Sequence, residues 1–159
     1  MSIPGIEVSG YGWIRDTDFS NADMRDAVFF TREIVDTTFA NADLSGLQSN
    51  MSGMDWRTVD LSGANLRGAF LAEANEFIDS DLTGVDFTNA ELRTVFFMDA
   101  SLVSAVLAGA DLSHGSLLGS DLTDADLTDV TWNNTTCPDG SNSDDDDGDG
   151  FTCESNRTP

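Results

Sequence analysis

Ala110-Asp111-Leu112-Ser113-His114, Gly115-Ser116-Leu117-Leu118-Gly119, Ser120-Asp121-Leu122-Thr123-Asp124 and Ala125-Asp126-Leu127-Thr128-Asp129 follow one another without a break. A large apolar residue stands at the centre of each group of five. A small residue precedes it by two positions, and the position between them is often Asp. A period of five fits neither the 3.6 of a helix nor the 2 of a strand. It fits a chain that turns a corner after every unit, with the central residue and its small partner facing in and the others facing out.

Working outward, the central residues fall into three runs. The first is Ile14, Phe19, Met24, Phe29, Ile34, Phe39 and Leu44; the second is Met51, Trp56, Leu61, Leu66 and Leu71. The third takes every fifth residue from Phe77 to Trp132, which brings the total to 24 units. The register slips by two residues between Leu44 and Met51 and by one between Leu71 and Phe77. This pattern resembles the pentapeptide-repeat family over about residues 12–134. The resemblance implies an all-β fold, a right-handed quadrilateral β-helix with four units per coil and so about six coils. At about 4.8 Å per stacked strand this is a rod roughly 29 Å long. Residues 1–11 are expected to form an N-terminal cap segment, with Ile6, Tyr11 and Trp13 closing the open end, and residues 135–159 an acidic Cys-containing tail.

Every fourth unit stacks on one face. On face two the residue before the centre reads Asp18, Thr38, Asp60, Asp81, Ser101, Asp121. On face three it reads Asp23, Asp43, Asn65, Asp86, Val106, Asp126. These are two acidic ladders on adjacent faces. Face one carries an outward apolar stripe in its later coils, Ile78, Met98 and Leu118 with Phe96 beside them. Its inward small positions read Gly12, Arg32, Met54, Asn75, Val95 and Gly115, a poor fit to a narrow core. Arg32 is expected to be displaced outward, because burying an unpaired guanidinium is too costly.

The chain has 159 residues, enough for one domain with a real core. Acids number 29 and bases 7, all Arg, for a formal charge of −22. That excess argues against direct binding of nucleic acid or of an anionic membrane, since both need a basic surface. It points to a basic protein partner or a cation. No apolar run approaches the roughly 20 residues of a membrane span. The opening Met-Ser-Ile-Pro-Gly has neither the charged nor the apolar region of a signal peptide. The apolar stripe marks an interface, for which a homodimer is the simplest form.

Up to residue 133 there are 22 acids and 6 Arg. Spread over the expected rod, the excess is about one charge per 1.8 Å, against roughly 1.7 Å in duplex DNA. Some pentapeptide-repeat proteins are DNA-shaped ligands of type II topoisomerases and confer quinolone resistance, and this chain resembles them in fold, charge and rod diameter. It departs from them in lacking a C-terminal apolar helix.

After Trp132 the tail carries both cysteines of the chain, Cys137 and Cys153, around a loop poor in apolar residues. In an oxidising compartment they would pair, stapling a segment that has no core of its own. Zinc would be underligated there, with no His nearby. Asp145, Asp147, Asp149 and Gly150 fit the opening of a calcium loop, and Asn156 stands where an EF-hand has its bidentate Glu. The segment looks like a short aspartate-rich calcium loop of extracellular bacterial modules. Cys137-Pro138-Asp139-Gly140 resembles a terminal segment of exported bacterial pentapeptide-repeat proteins. An exported or periplasmic bacterial location is therefore favoured over a cytoplasmic one. Catalysis is not expected. The one His, His114, stands on an outward corner, no nucleophile has a base beside it, and a filled rod offers no pocket. The sequence thus reads as a non-enzymatic interaction module. A topoisomerase ligand and a calcium-dependent exported structural protein are the alternatives.

Overall fold

The computed structural model describes residues 2–9, 12–49, 53–71, 73, 75–144 and 153. Its strands are short and all parallel. β1 (Glu7–Ser9), β3 (Val28–Phe30) and β5 (Gln48–Ser49) form one sheet in that order. β2 (Trp13–Arg15), β4 (Glu33–Val35), β6 (Asp55–Arg57), β7 (Glu76–Ile78) and β8 (Phe96–Met98) form the other. Each strand pairs with one a full coil away, as Trp13 does with Glu33 and Glu76 with Phe96. Two ladders of single bridges complete the square, Asp18–Thr38–Asp60–Asp81–Ser101–Asp121 and Ser2–Asp23–Asp43–Asn65–Asp86–Val106–Asp126. The larger sheet is face one, the two ladders are faces two and three, and the smaller sheet is face four. Among the described residues no helix is long and apolar enough to cross a membrane.

The five-residue unit explains this winding. In Ala42-Asp43-Leu44-Ser45-Gly46, Ala42 and Leu44 are buried and Asp43 faces out. The Asp43 N–H donates to Ala22 in the coil before, and the Leu44 N–H to Asn65 in the coil after, both at 2.8 Å. Backbone polarity is therefore satisfied between coils, and the side chains are left to fill the centre. The last residue of the unit makes the corner and has positive φ, as at Asn41 (56°), Gly46 (71°), Gly63 (64°) and Asn89 (57°). Only Gly, Asn and Asp adopt that conformation readily, which is why they recur at this position. Inside, rings stack coil on coil, with centroids 5.1 Å apart for Phe19–Phe39 and 5.2 Å for both Trp56–Phe77 and Phe77–Phe97.

Both register slips fall at the corner between face four and face one. Ile34 pairs with Trp56 and Trp56 with Phe77, two residues and one residue more than a regular coil. The first slip lies one unit later than the sequence suggested. Ser49, not Met51, occupies the central position, since it pairs with Phe29, and Leu47 fills the small position of that unit, fully buried. Met51 lies outside the described residues. The longer coils give room for Trp56, Met54 and Asn75, all fully buried. Asn75 is satisfied there: its Nδ2 donates to the Leu71 carbonyl at 2.7 Å and its Oδ1 accepts from Ser49 Oγ at 3.0 Å. Arg32 is exposed as expected, and Thr31 takes the inward place, donating to the Gly12 carbonyl at 2.8 Å.

The ends differ from the expected plan. Residues 2–9, assigned to a cap, continue the helix as a half coil: Ser2 bridges Asp23 and Val8 pairs with Phe29. Trp13 closes nothing. It is 66% exposed, with the Arg15 guanidinium 5.2 Å from its ring. At the other end Thr136 bridges Ser116 and adds one more rung to face one, so the coil count differs slightly from six, with part coils at both ends. Cys137 thereby continues the inward column of Trp56, Phe77, Phe97 and Leu117. The chain then reverses. Asn142 pairs antiparallel with Thr136, and the Cys137 N–H donates to Ser141 at 2.8 Å. The Cys137–Cys153 disulfide, with both residues fully buried, closes this end.

Three outcomes follow for stability. A methyl group on Gly115 would lie 2.6 Å from the Val95 carbonyl oxygen, which is backbone of the adjacent coil. Gly115→Ala should therefore cost about 1–3 kcal/mol in urea unfolding. Gly68→Asn, at an open corner with φ of 62°, should stay within about 0.5 kcal/mol. Reduction of the disulfide, or Cys137→Ser with Cys153→Ser, should remove about 3 kcal/mol.

Candidate functional site

The outward Asp residues are first of all turn formers. Asp60 Oδ1 accepts from the Ser62 amide at 2.9 Å and its hydroxyl at 2.6 Å, and Thr38 Oγ1 donates to Oδ2 at 3.1 Å. The same amide contact recurs at Asp18–Ser20 (2.8 Å), Asp43–Ser45 (3.1 Å) and Asp81–Thr83 (2.9 Å). It recurs again at Asp86–Thr88 (2.9 Å), Asp121–Thr123 (2.9 Å) and Asp126–Thr128 (3.0 Å). Each is an Asx turn that holds the corner following the strand. Periodicity alone does not reveal this role, although the recurring Asp-Leu-Ser/Thr triplet carries its signal.

Stacking sets the electrostatics. The ladders have only two pairs of Asp on adjacent rungs, Asp60 with Asp81 on face two and Asp23 with Asp43 on face three. Thr38, Ser101, Asn65 and Val106 interrupt the rest and reduce like-charge repulsion. On face three Arg25 sits between the paired acids, with Nε 2.8 Å from Asp23 and 3.8 Å from Asp43, and Arg67 reaches Asp86 at 3.1 Å. Face two has no Arg on its ladder. Asp60 and Asp81 are therefore the adjacent ladder acids without an ion pair among the described residues.

The hydrogen bonds move the acid titrations. Those from Arg25 and then Ser2 hold the Asp23 carboxyl far below the ordinary range. Asp18 and Asp121 are lowered by the hydroxyl and then the amide of Ser20 and Thr123. At Asp60 and Asp86 partial burial pulls upward, but the hydrogen bonds from Ser62 and Thr38, and from Thr88 and Arg67, outweigh it. Folded pKa values below the unfolded value of 3.8 stabilise the fold above that pH, and the contribution is lost as pH falls through the folded values. With mutual repulsion screened by about 0.5 M salt, the melting temperature should be level from about pH 7 to 5 and fall below about pH 4. Asp60→Ala should cost about 1–2 kcal/mol at neutral pH. Asp60→Asn, which keeps the acceptor, should cost less, as Asn65 already accepts from the Arg67 amide at 3.1 Å.

The apolar stripe stands on face one. Ile78 and Met98 pair in register, with Phe96 on the other side of β8, and all three are half-buried. Leu118 is 49% exposed and lies beside Gly140 of the terminal hairpin. Below the stripe the same face is charged, with Arg15 bound to Glu33 at 2.8 Å and Arg57 to Asp55 at 2.9 Å. His114 is an exposed corner residue with φ of 61°. Asp145, Asp147 and Asp149 lie outside the described residues. Among those described, no cluster of three or more His, Cys, Asp or Glu side chains is arranged to hold a metal ion.

The family model for pentapeptide repeats matches residues 39–75 and 97–129, as eight copies. No curated protein sequence matches the chain. Among solved structures it is similar to the pentapeptide repeat protein Rfr23 of the cyanobacterium Cyanothece 51142. The two are 17% identical over 84% of this chain and 85% of that one, with a TM-score of 0.50. QnrB1, a plasmid-mediated fluoroquinolone resistance protein, is 16% identical over 85% of this chain and 74% of its own, with a TM-score of 0.49. A pentapeptide repeat protein of the Arabidopsis thaliana thylakoid lumen is 28% identical over 79% and 67%, with a TM-score of 0.31. At 17% identity the likeness to Rfr23 is one of fold alone. Residues 39–75 and 97–129 are thus pentapeptide repeats, and the coil to which they belong has the fold of a pentapeptide-repeat structure.

Proposed function

We propose that this chain is a non-enzymatic interaction module that presents face two to a basic protein partner outside the cytoplasm. The observation that carries the reading is the Asp60–Asp81 step, two carboxylates on adjacent rungs with no arginine against them among the described residues. Face three bears a similar number of acids but offsets them with Arg25 and Arg67. A rigid, uncompensated line of carboxylates favours a cationic surface of matching pitch and steers its approach. The location is supported by the stapled tail, since a buried disulfide persists in oxidising compartments.

A DNA-shaped ligand of a type II topoisomerase is the second reading. It is supported by the charge spacing along the rod, close to that of a duplex. It is opposed by the disulfide, because that target is cytoplasmic.

Titration calorimetry with an arginine-rich peptide of about ten residues tests the first reading. Asp60→Asn with Asp81→Asn should weaken binding about fivefold more than Asp43→Asn with Asp86→Asn, which removes the same charge from face three. Equal losses would mean that net charge alone is read and would overturn it. Gyrase supercoiling tests the second: inhibition by this chain, and not by an unrelated protein of equal acidity, would put the second reading first.

A further inference from the structure

Face one carries the five-stranded sheet, and its outward chemistry differs from that of the acidic ladders. Its outward side chains form two columns, one on each side of the inward centres. The column before the centre runs Trp13, Glu33, Asp55, Glu76, Phe96; the column after it runs Arg15, Val35, Arg57, Ile78, Met98. The first column is acidic in its middle coils and the second is basic or apolar. Together they hold three acids and two arginines, nearly balanced on a chain of −22. Two copies of so acidic a protein repel each other over most of their surface, and on this face arginines set beside the acids reduce that repulsion.

We propose that face one is the interface of a parallel homodimer, with the twofold axis running along the rod between two face-one sheets. Rotation about that axis sets the column before the centre against the partner's column after it, coil for coil. Trp13 then meets Arg15 of the second copy, Asp55 meets Arg57, and Phe96 meets Met98. The contacts are an aromatic ring on a guanidinium, an ion pair and an apolar pair, each made twice. On the other two rungs Glu33 faces Val35 of the second copy and Glu76 faces its Ile78, each acid one rung from Arg57. The corner after the second column carries Asp16, Asp36, Asp79 and Asp99. The rotation turns it toward the partner's opposite corner, where Arg32 is exposed and has no ion pair among the described residues. An antiparallel arrangement would instead set Asp55 against Glu76. The facing sheets would pack about 10 Å apart, as in a β-sandwich. The acidic ladders of faces two and three stay outside, so this inference does not depend on the reading of face two.

Sedimentation equilibrium on the oxidised full chain provides the test. A dimer is expected at about 100 μM, with its dissociation constant falling as salt screens the net charge. Met98→Glu should raise that constant more than about tenfold with the melting temperature unchanged. Arg57→Asp should also weaken the dimer. The double exchange Asp55→Arg with Arg57→Asp should restore it, because an acid again faces a base across the axis. A monomer at every concentration, a Met98→Glu dimer as tight as the parent, or a double exchange no better than Arg57→Asp alone would each overturn the proposal.

Discussion

Every fifth residue has to carry the backbone through a corner at positive φ, and the rest of the structure depends on that constraint. A corner at fixed spacing keeps each straight segment too short to be an ordinary strand. It also returns the chain to the same side after four units, in position to bond the coil before. The corner residues Asn21, Asn41, Gly63 and Gly84 stack in one line along the rod, all left-handed. Stacking adds a second restriction, because an Asn or Asp at one corner reaches over the next. A methyl group on Gly63 would lie 2.7 Å from Asn41 Oδ1, the free end of a side chain, so a larger residue there requires Asn41 to move aside.

The interior adjusts to what the corners allow. A regular coil holds a phenylalanine or leucine at each centre, with Ala, Ser, Thr or Val beside it. Buried hydroxyls fit because strand carbonyls accept from them, as Ser80 Oγ donates to Ile78 at 3.0 Å and Ser120 Oγ to Phe97 at 3.2 Å. Trp56, Met54 and Asn75 exceed that space, and the coils holding them are longer at one corner. Trp56 is there for its volume. It stacks between Phe29 and Phe77, and its indole N–H finds no acceptor among the described residues.

Inside and outside are decoupled. The buried positions accept a narrow set of residues, whereas the outward positions tolerate any that respects the turn. The four faces can therefore differ in chemistry without disturbing the core. Face two keeps its acids uncompensated, face three offsets them with arginine, and face one combines ion pairs with an apolar stripe. The C-terminal end ends this freedom. Cys137 takes an inward position, and the antiparallel return at Asn142 covers the parallel edge of face one at Thr136.

The sequence by itself determined the period, the inward and outward positions, and the stacking order of faces two and three, because a five-residue repeat leaves one way to bury its centres. It also pointed to the pairing of Cys137 with Cys153, the only cysteines in the chain. Tertiary structure decided what a repeat cannot encode. Ser49 and Met51 compete for one central place, and only pairing with Phe29 resolves it in favour of Ser49. Residues 2–9 lack the repeat's signature, yet join the helix because an existing coil offers them an edge. The difference between faces two and three rests on where Arg25 and Arg67 reach, a matter of side-chain direction across rungs that no periodicity records.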